Sequence, residues 1–310
     1  MTVHHGLDTL PVFHNAVITI GTFDGVHAGH RHIIAQLQEE ARHTNGESVL
    51  ITFHPHPRKV ISSVPGDIKL LNTLDERIEL LSKTGIDHLV IVPFNHHFAG
   101  QTAEEYISDF LFKYFHPHTI IIGYDHRFGK GRSGNYQLLE NTGKQLGFSV
   151  KEIPEHILNE VTVSSTKIRE ALLHQNIDVA NAFLGYDYFF EGLIIEGNKL
   201  GRTIGYPTAN LQIENEDKLI PGNGVYAVEA ILLEDKQEKP FKGMMNIGLR
   251  PTVDGKKRMI EVNIFDFNQD IYGKTLRVYV KAYLRGEVKF NGLEELKQQL
   301  AKDKTDALNY

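Results

Sequence analysis

The chain contains no cysteine. That absence removes disulfides, thiolate nucleophiles and cysteine-bound zinc or iron–sulfur centres, and it fits a reducing cytoplasm. The first residues, MTVHHGLDTLPVF, lack a basic segment followed by an apolar run of about 7–15 residues, so no signal peptide is expected. No apolar stretch approaches the roughly 20 residues of a membrane-spanning helix, and no membrane partner is expected. Lys and Arg are scattered over a chain of formal net charge −6. That argues against a nucleic-acid partner, although a local pocket can still be positive. HExxH and GxxxxGK[ST] are both missing, so neither a helical zinc pair nor a P-loop is available. Internal repeats and low-complexity linkers are absent as well, and nothing here sets the oligomeric state.

What is present is ordinary in bulk and specific in detail. At 310 residues the chain exceeds the roughly 100–200 of one domain, and 41% hydrophobic residues suffice for sizeable cores. Histidine is abundant at 17, and most pairs, such as His96 with His97 and His116 with His118, read as turn or surface residues.

Up to about residue 180, apolar runs alternate with helical patterns. The runs are Ala16 to Ile20, Ser48 to Phe53, His88 to Val92, Thr119 to Ile122 and Phe148 to Ile153. Between them, Ile33, Ile34, Leu37 and Ala41 form one apolar face, and Ile78, Leu80 and Leu81 mark a second helix. Thr102 with Glu105 reads as a capping box before Tyr106 to Phe115, and Gly134 to Leu146 is helix-like. This alternation predicts a doubly wound parallel α/β sheet, with ligands at the carboxyl ends of its strands. From about residue 186 the pattern becomes β-rich: Tyr188 to Ile195, Gly224 to Leu233, Phe241 to Ile247, Met259 to Phe265 and Leu276 to Leu284. Closely spaced strands predict a small antiparallel barrel. A terminal helix is expected, capped by Asn291, with Leu293, Leu296 and Leu300 as its stripe. Gly185 can end a helix in left-handed geometry, giving domains 1–184 and 185–310.

Chemistry concentrates after the first strand, in Gly21-Thr22-Phe23-Asp24-Gly25-Val26-His27-Ala28-Gly29-His30. The glycines permit close backbone approach, and the amides of a helix start attract phosphate. His27 and His30 stand three apart, so in a helix they share a face and suit charge developing on a phosphate. Ser164-Ser165-Thr166-Lys167-Ile168-Arg169 opens another helix. Alone it is a cap with a solvated charge; in company its hydroxyls, amides and guanidinium make a phosphate clamp.

In the second half, Gly197, Gly201 and Gly205 recur at four-residue spacing before Tyr206-Pro207-Thr208-Ala209-Asn210. Spacing alone leaves a glycine-rich hairpin as good a reading as a ligand loop. Strand alternation puts Ile260, Val262 and Ile264 on one face and Glu261 with Asn263 on the other.

These segments together resemble the bacterial bifunctional riboflavin kinase/FMN adenylyltransferase family. The HxGH stretch is similar to the nucleotidylyltransferase superfamily; Thr52 to Pro57 resembles TFxPHP, Gly123 to Gly129 resembles GxDxRFG, and Ser164 to Arg169 resembles SSTxIR. Pro207 to Asn210 resembles the PTAN signature of riboflavin kinases, Pro221 to Ala227 resembles PxxGVYA, and Gly243 to Pro251 resembles GxxNIGxxP. Two positions depart: His126 stands where the pattern carries phenylalanine, and Tyr206 where phenylalanine is commoner. The match runs in order from about residue 10 to 307.

The resemblance implies a nucleotidylyltransferase-like first domain and a riboflavin kinase-like barrel. ATP would phosphorylate riboflavin to FMN in the second domain and adenylylate FMN to FAD in the first. His27, His30 and Glu261 would be catalytic. Gly21, Phe23, Asp24, Gly25, Gly29, Ser165, Thr166, Arg169, Gly197, Gly201, Arg202, Gly205 and Asn246 would bind nucleotide or phosphate. Phe53, His56, Asp125, Phe128, Tyr226, Arg285 and Glu287 would bind flavin. Thr208 and Asn210 would hold Mg²⁺ with ATP, oxygen donors being the ligands that ion prefers.

Overall fold

The computed structural model describes residues 1–62, 68–153, 163–197, 200–234, 240–252 and 255–310. Its contacts divide into two compact units, Met1–Ser165 and Thr166–Tyr310.

The first unit opens with β1 (Thr2–His5) and β2 (Val17–Ile20), then α1 (Ala28–His43), β3 (Ser48–His54), α2 (Pro57–Ile61), α3 (Leu74–Ser82) and β4 (His88–Pro93). It continues with α4 (His96–Ala99), α5 (Ala103–Glu105), a π-helical stretch Tyr106–Phe112, α6 (Lys113–Phe115), β5 (Thr119–Gly123), α7 (Tyr136–Leu146) and β6 (Ser149–Ile153). The strands form one six-stranded sheet in the order β1-β4-β3-β2-β5-β6, parallel throughout. From β2 the chain winds outward through β3 to β4, then returns to β5 on the other side. The order therefore reverses between β2 and β5, where such sheets open a crevice at their carboxyl ends.

Alternate residues of each strand serve opposite faces. Leu50 and Ile121 join Ile34, Leu37 and Ala41 of α1, while Val49, Ile51, Ile120 and Ile122 pack against Ile107, Phe110, Leu111 and Leu139. The Thr102–Glu105 capping box is present, but the helix after it is widened to π geometry over Tyr106–Phe112. A 3.6-residue period carries no signal for that. Helix α7 starts at Tyr136 rather than Gly134, because Asn135 accepts the Leu138 N–H and caps it. β1 was not expected: Thr2–His5 is a half-exposed edge strand with no apolar run.

The second unit begins with α8 (Ser165–Leu173), which crosses the division, and α9 (Ile177–Leu184), ended by left-handed Gly185. Then come β7 (Phe189–Ile195), α10 (Leu200–Thr203), β8 (Ala209–Gln212), β9 (Gly224–Leu232), β10 (Phe241–Thr252), β11 (Gly255–Ile264), β12 (Thr275–Arg285) and α11 (Leu293–Leu308). The strands close an antiparallel barrel, β10-β11-β8-β7-β12-β9. Asn181 ties α9 to it: its side chain accepts the Tyr188 N–H at 2.8 Å and donates to the Val280 carbonyl at 2.9 Å. The cap of α11 differs from expectation. Gly292 occupies the N-cap, and the Asn291 N–H donates to Glu295 Oε2. Leu293 is 56% exposed; Leu300 packs against Met244, Phe265 and Ala282.

Candidate active sites

In the first unit, the chain leaves β2 through a loop in which Phe23, Gly25 and Val26 take positive φ. Two anchors hold this loop. Asp24, 2% exposed, accepts the backbone N–H groups of Leu71 and Asn72 at 3.0–3.1 Å. Ser165 Oγ donates to the Asp24 carbonyl at 2.9 Å. The Asp24 and Phe23 side chains are buried, so they hold the loop and are not presented to a phosphate; a carboxylate facing an anion would repel it.

His27 caps α1, its Nδ1 accepting the His30 N–H at 3.4 Å. Acceptance at Nδ1 leaves the proton of a neutral ring on Nε2. The two imidazoles stack at 3.7 Å between centroids and 17° between planes, and Phe23 lies 4.9 Å from His30. Gly29 makes that stack possible, since a Cβ there would sit 3.3 Å from the His27 ring. Burial, with further contributions from His27 and Arg77, holds the His30 imidazole well below its usual proton affinity. The pair is thus a preorganised donor surface at the amino end of a 16-residue helix, with the His30 ring held neutral.

The other expected residues of this unit divide into buried and exposed. Phe53 packs among Phe94 and Phe98 at 5.4 and 5.6 Å. His56 is buried, and its Nδ1 caps α2 by accepting the Arg58 N–H at 3.2 Å. Phe128 is buried and stacked on Tyr106 at 5.1 Å. Asp125 is exposed on the loop after β5, the strand next to β2. His126 keeps a ring against Phe128, at 5.9 Å, as phenylalanine would; burial pushes its imidazole down to about 4. Gly21 and Gly25 lie on the loop itself; Thr166 and Arg169 follow Ser165 on α8 and fall in the second unit.

In the second unit, a cavity of about 250 Å³ opens in the barrel wall. Gly201, Thr208, Asn210, Asn246, Glu261, Arg285 and Glu287 all line it. Register explains the grouping: on β10, β11 and β8, Asn246 is the cross-strand partner of Glu261, and Glu261 of Asn210. The Asn210 Oδ1 is buried without a hydrogen-bond partner. Gly197 lies so close to Asn210 that a Cβ would overlap its carboxamide, and Gly205 takes φ 87°. Asn198 and Lys199, between the first two glycines, lie outside the described residues. Arg202 is exposed and does not line the cavity. Arg285 Nε and Nη2 donate to the two oxygens of Asp303 on α11, at 2.8 and 2.6 Å. One expectation shifts by a residue. Tyr226 is fully buried with its hydroxyl donating to the Gly222 carbonyl, and Val225, on the opposite face of the strand, lines the cavity instead.

A family model described as FAD synthetase matches residues 10–167, and one described as riboflavin kinase matches residues 184–310. The bifunctional riboflavin kinase/FMN adenylyltransferase of Escherichia coli (strain K12) is 38% identical over 306 residues, covering 99% of this chain and 96% of that protein. Its namesake from Bacillus subtilis (strain 168) is 35% identical over 300 residues, covering 95% and 92%. The chain belongs to the bifunctional riboflavin kinase/FMN adenylyltransferase family. The first unit therefore carries FMN adenylyltransferase activity and the barrel riboflavin kinase activity. A solved structure described as a macrolide-efflux protein from Streptococcus pneumoniae shares the fold, with TM-score 0.88, 31% identity and 100% of each chain covered. In the present chain, no helix among the described residues is long and apolar enough to cross a membrane.

Sequence reasoning missed three residues that hold the candidate sites together. Asn263 lines the kinase cavity and donates from Nδ2 to the Pro207 carbonyl at 2.6 Å, pinning the PTAN segment. Asp303, 1% exposed, holds Arg285. Arg77, 6% exposed, donates to the Thr22 carbonyl at 2.5 Å and the Phe53 carbonyl at 3.2 Å. Each left a faint trace. Asn263 shares the face of Glu261, and Arg77 falls in the apolar register Leu74, Ile78, Leu81 of α3, where a cation needs a reason.

Proposed function

We propose that both reactions draw on ATP. In the kinase cavity, Glu261 takes the proton of the riboflavin 5′-hydroxyl as that oxygen attacks the γ-phosphorus, and ADP leaves. In the adenylyltransferase site, the FMN phosphate attacks the α-phosphorus of a second ATP, and pyrophosphate leaves. The latter needs no protein nucleophile, so catalysis there is positioning and charge stabilisation. His27 and His30 supply N–H donors to the reacting phosphate. Gly21 and Gly25 of the loop, Gly29 at the start of α1 and Ser165 receive the remaining phosphates.

The observation that carries this reading is the row Asn246–Glu261–Asn210 across one cavity wall, with the Asn210 Oδ1 buried and unsatisfied. An orphan oxygen is costly unless a donor or cation completes it, so Thr208 and Asn210 fit Mg²⁺ brought in with ATP phosphates. That ion would neutralise phosphate charge beside Glu261. Arg285, Glu287 and Val225 border the flavin, and Gly201 and Asn246 the nucleotide. We take residues 1–184 and 185–310 as the functional modules and the cytoplasm as their compartment.

A chromatographic time course with riboflavin, ATP and Mg²⁺ tests the proposal. FMN rising and then giving way to FAD is expected. FMN alone would restrict activity to the barrel, and neither product would overturn the reading.

A further inference from the structure

The carboxyl ends of parallel strands present carbonyl oxygens to their ligand crevice, an awkward setting for a triphosphate. Here two of those oxygens are covered. The Arg77 guanidinium reaches from α3 to the Thr22 carbonyl beyond β2 and the Phe53 carbonyl in β3, and Thr52 Oγ1 adds a third donor, to Thr22, at 3.1 Å. The tie is reciprocal. Asp24, in the same loop as Thr22, accepts the Leu71 and Asn72 N–H groups just before α3, whose start is fixed by the Thr73–Glu76 capping box. Arg77 is buried, its Nε–H has no partner, and burial lowers its proton affinity against the opposing pull of Asp24. A cation held in that way is retained for its charge and its reach, since a hydrocarbon of similar size would fill the space at lower cost.

We propose that Arg77 is a positioning residue for adenylyl transfer: it withdraws two strand-end carbonyls from the phosphate crevice, fixes the HxGH loop against α3, and places a fixed positive charge behind His27 and His30. The proposal rests on the role given above to His30. The charged and titratable groups acting on His30 are His27 beside it and Arg77 from α3, while Asp24 acts on Arg77. Removing the Arg77 charge therefore lets His30 take up a proton at higher pH.

The test uses the full chain, with riboflavin phosphorylation by the barrel as an internal control. Arg77→Met is expected to slow FMN adenylylation by about 10²-fold, the cost of a small misplacement of reacting groups. The Michaelis constants for FMN and ATP should move by less than about threefold, the loss falling on kcat as expected for a group acting in the transition state. The acid-side inflection of the rate should move to higher pH, and Arg77→Lys, which keeps the charge, should restore that inflection. Undiminished rate and an unshifted profile in Arg77→Met, alongside lost FAD formation in His30→Ala, would overturn the role of Arg77 alone. Undiminished FAD formation in His30→Ala would instead remove the reading on which it rests. If Arg77→Met fails to fold, Arg77→Lys decides, since an ammonium keeps the charge but cannot bridge both carbonyls as a guanidinium does: slowed FMN adenylylation with an unshifted pH profile supports the proposal, and a wild-type rate refutes it.

Discussion

His30 and Glu261 occupy separate modules, so their variants should act on opposite steps. His30→Ala should slow FAD formation by about 10²–10³-fold, the usual effect of losing one oxyanion donor. Glu261→Gln should slow FMN formation by about 10²–10⁴-fold, the contribution of a placed base. Each variant should leave the other reaction at wild-type rate, measured with FMN or riboflavin supplied directly; a variant that impaired both would contradict separate sites. Both residues stand out in the sequence as candidates because their neighbours constrain them. HxGH follows a strand and opens a helix, and Glu261 sits on the polar face of an alternating strand. Asp24, Phe23 and Tyr226 were legible as motif members but not in their orientation. Which way a side chain turns depends on partners distant in sequence, such as Leu71 for Asp24 and Gly222 for Tyr226.

Among elements, the strands with continuous apolar runs could be read directly, and the half-exposed or interrupted ones could not. β3 and β5 are buried on both faces and announce themselves, whereas β1 is half-exposed and β8, though buried from Ala209 to Leu211, is four residues long and interrupted by polar Asn210 and Gln212. Gly134 shows a different limit. It pairs with Phe128 through an isolated bridge, and a methyl there would overlap the Phe128 ring. Nothing local marks it, because the constraint comes from a ring six residues earlier. Gly134→Ala should destabilise the first unit by about 1–3 kcal/mol, the usual cost of overpacking. Thermal unfolding should show that loss, and FAD formation should lose heat tolerance while FMN formation keeps it. Unchanged melting would show that the bridge tolerates a side chain.

At the scale of the molecule, two functions were legible because two sets of motifs run in order along one chain. The grouping of the helices between them was not. α8 and α9 cluster with the barrel, and the Asn181 bonds to Tyr188 and Val280 are part of why. A fragment of residues 166–310 should therefore melt higher than one of residues 185–310. The difference should exceed about 3 °C, which about 1 kcal/mol produces in a domain of this size. Equal melting temperatures would mean that the two helices contribute nothing to barrel stability.

Closure of that barrel has a consequence for how the protein meets other chains. A ring of strands has no unpaired edge, so the kinase module offers no template for strand-to-strand association. The open sheet of the first module does have edges, at β1 and β6, and β6 carries Lys151 and Glu152, the kind of charged residues that discourage another strand from docking. Self-association by strand addition, under conditions that loosen the fold, is thus confined to one module, and within it to the edge formed by Thr2–His5.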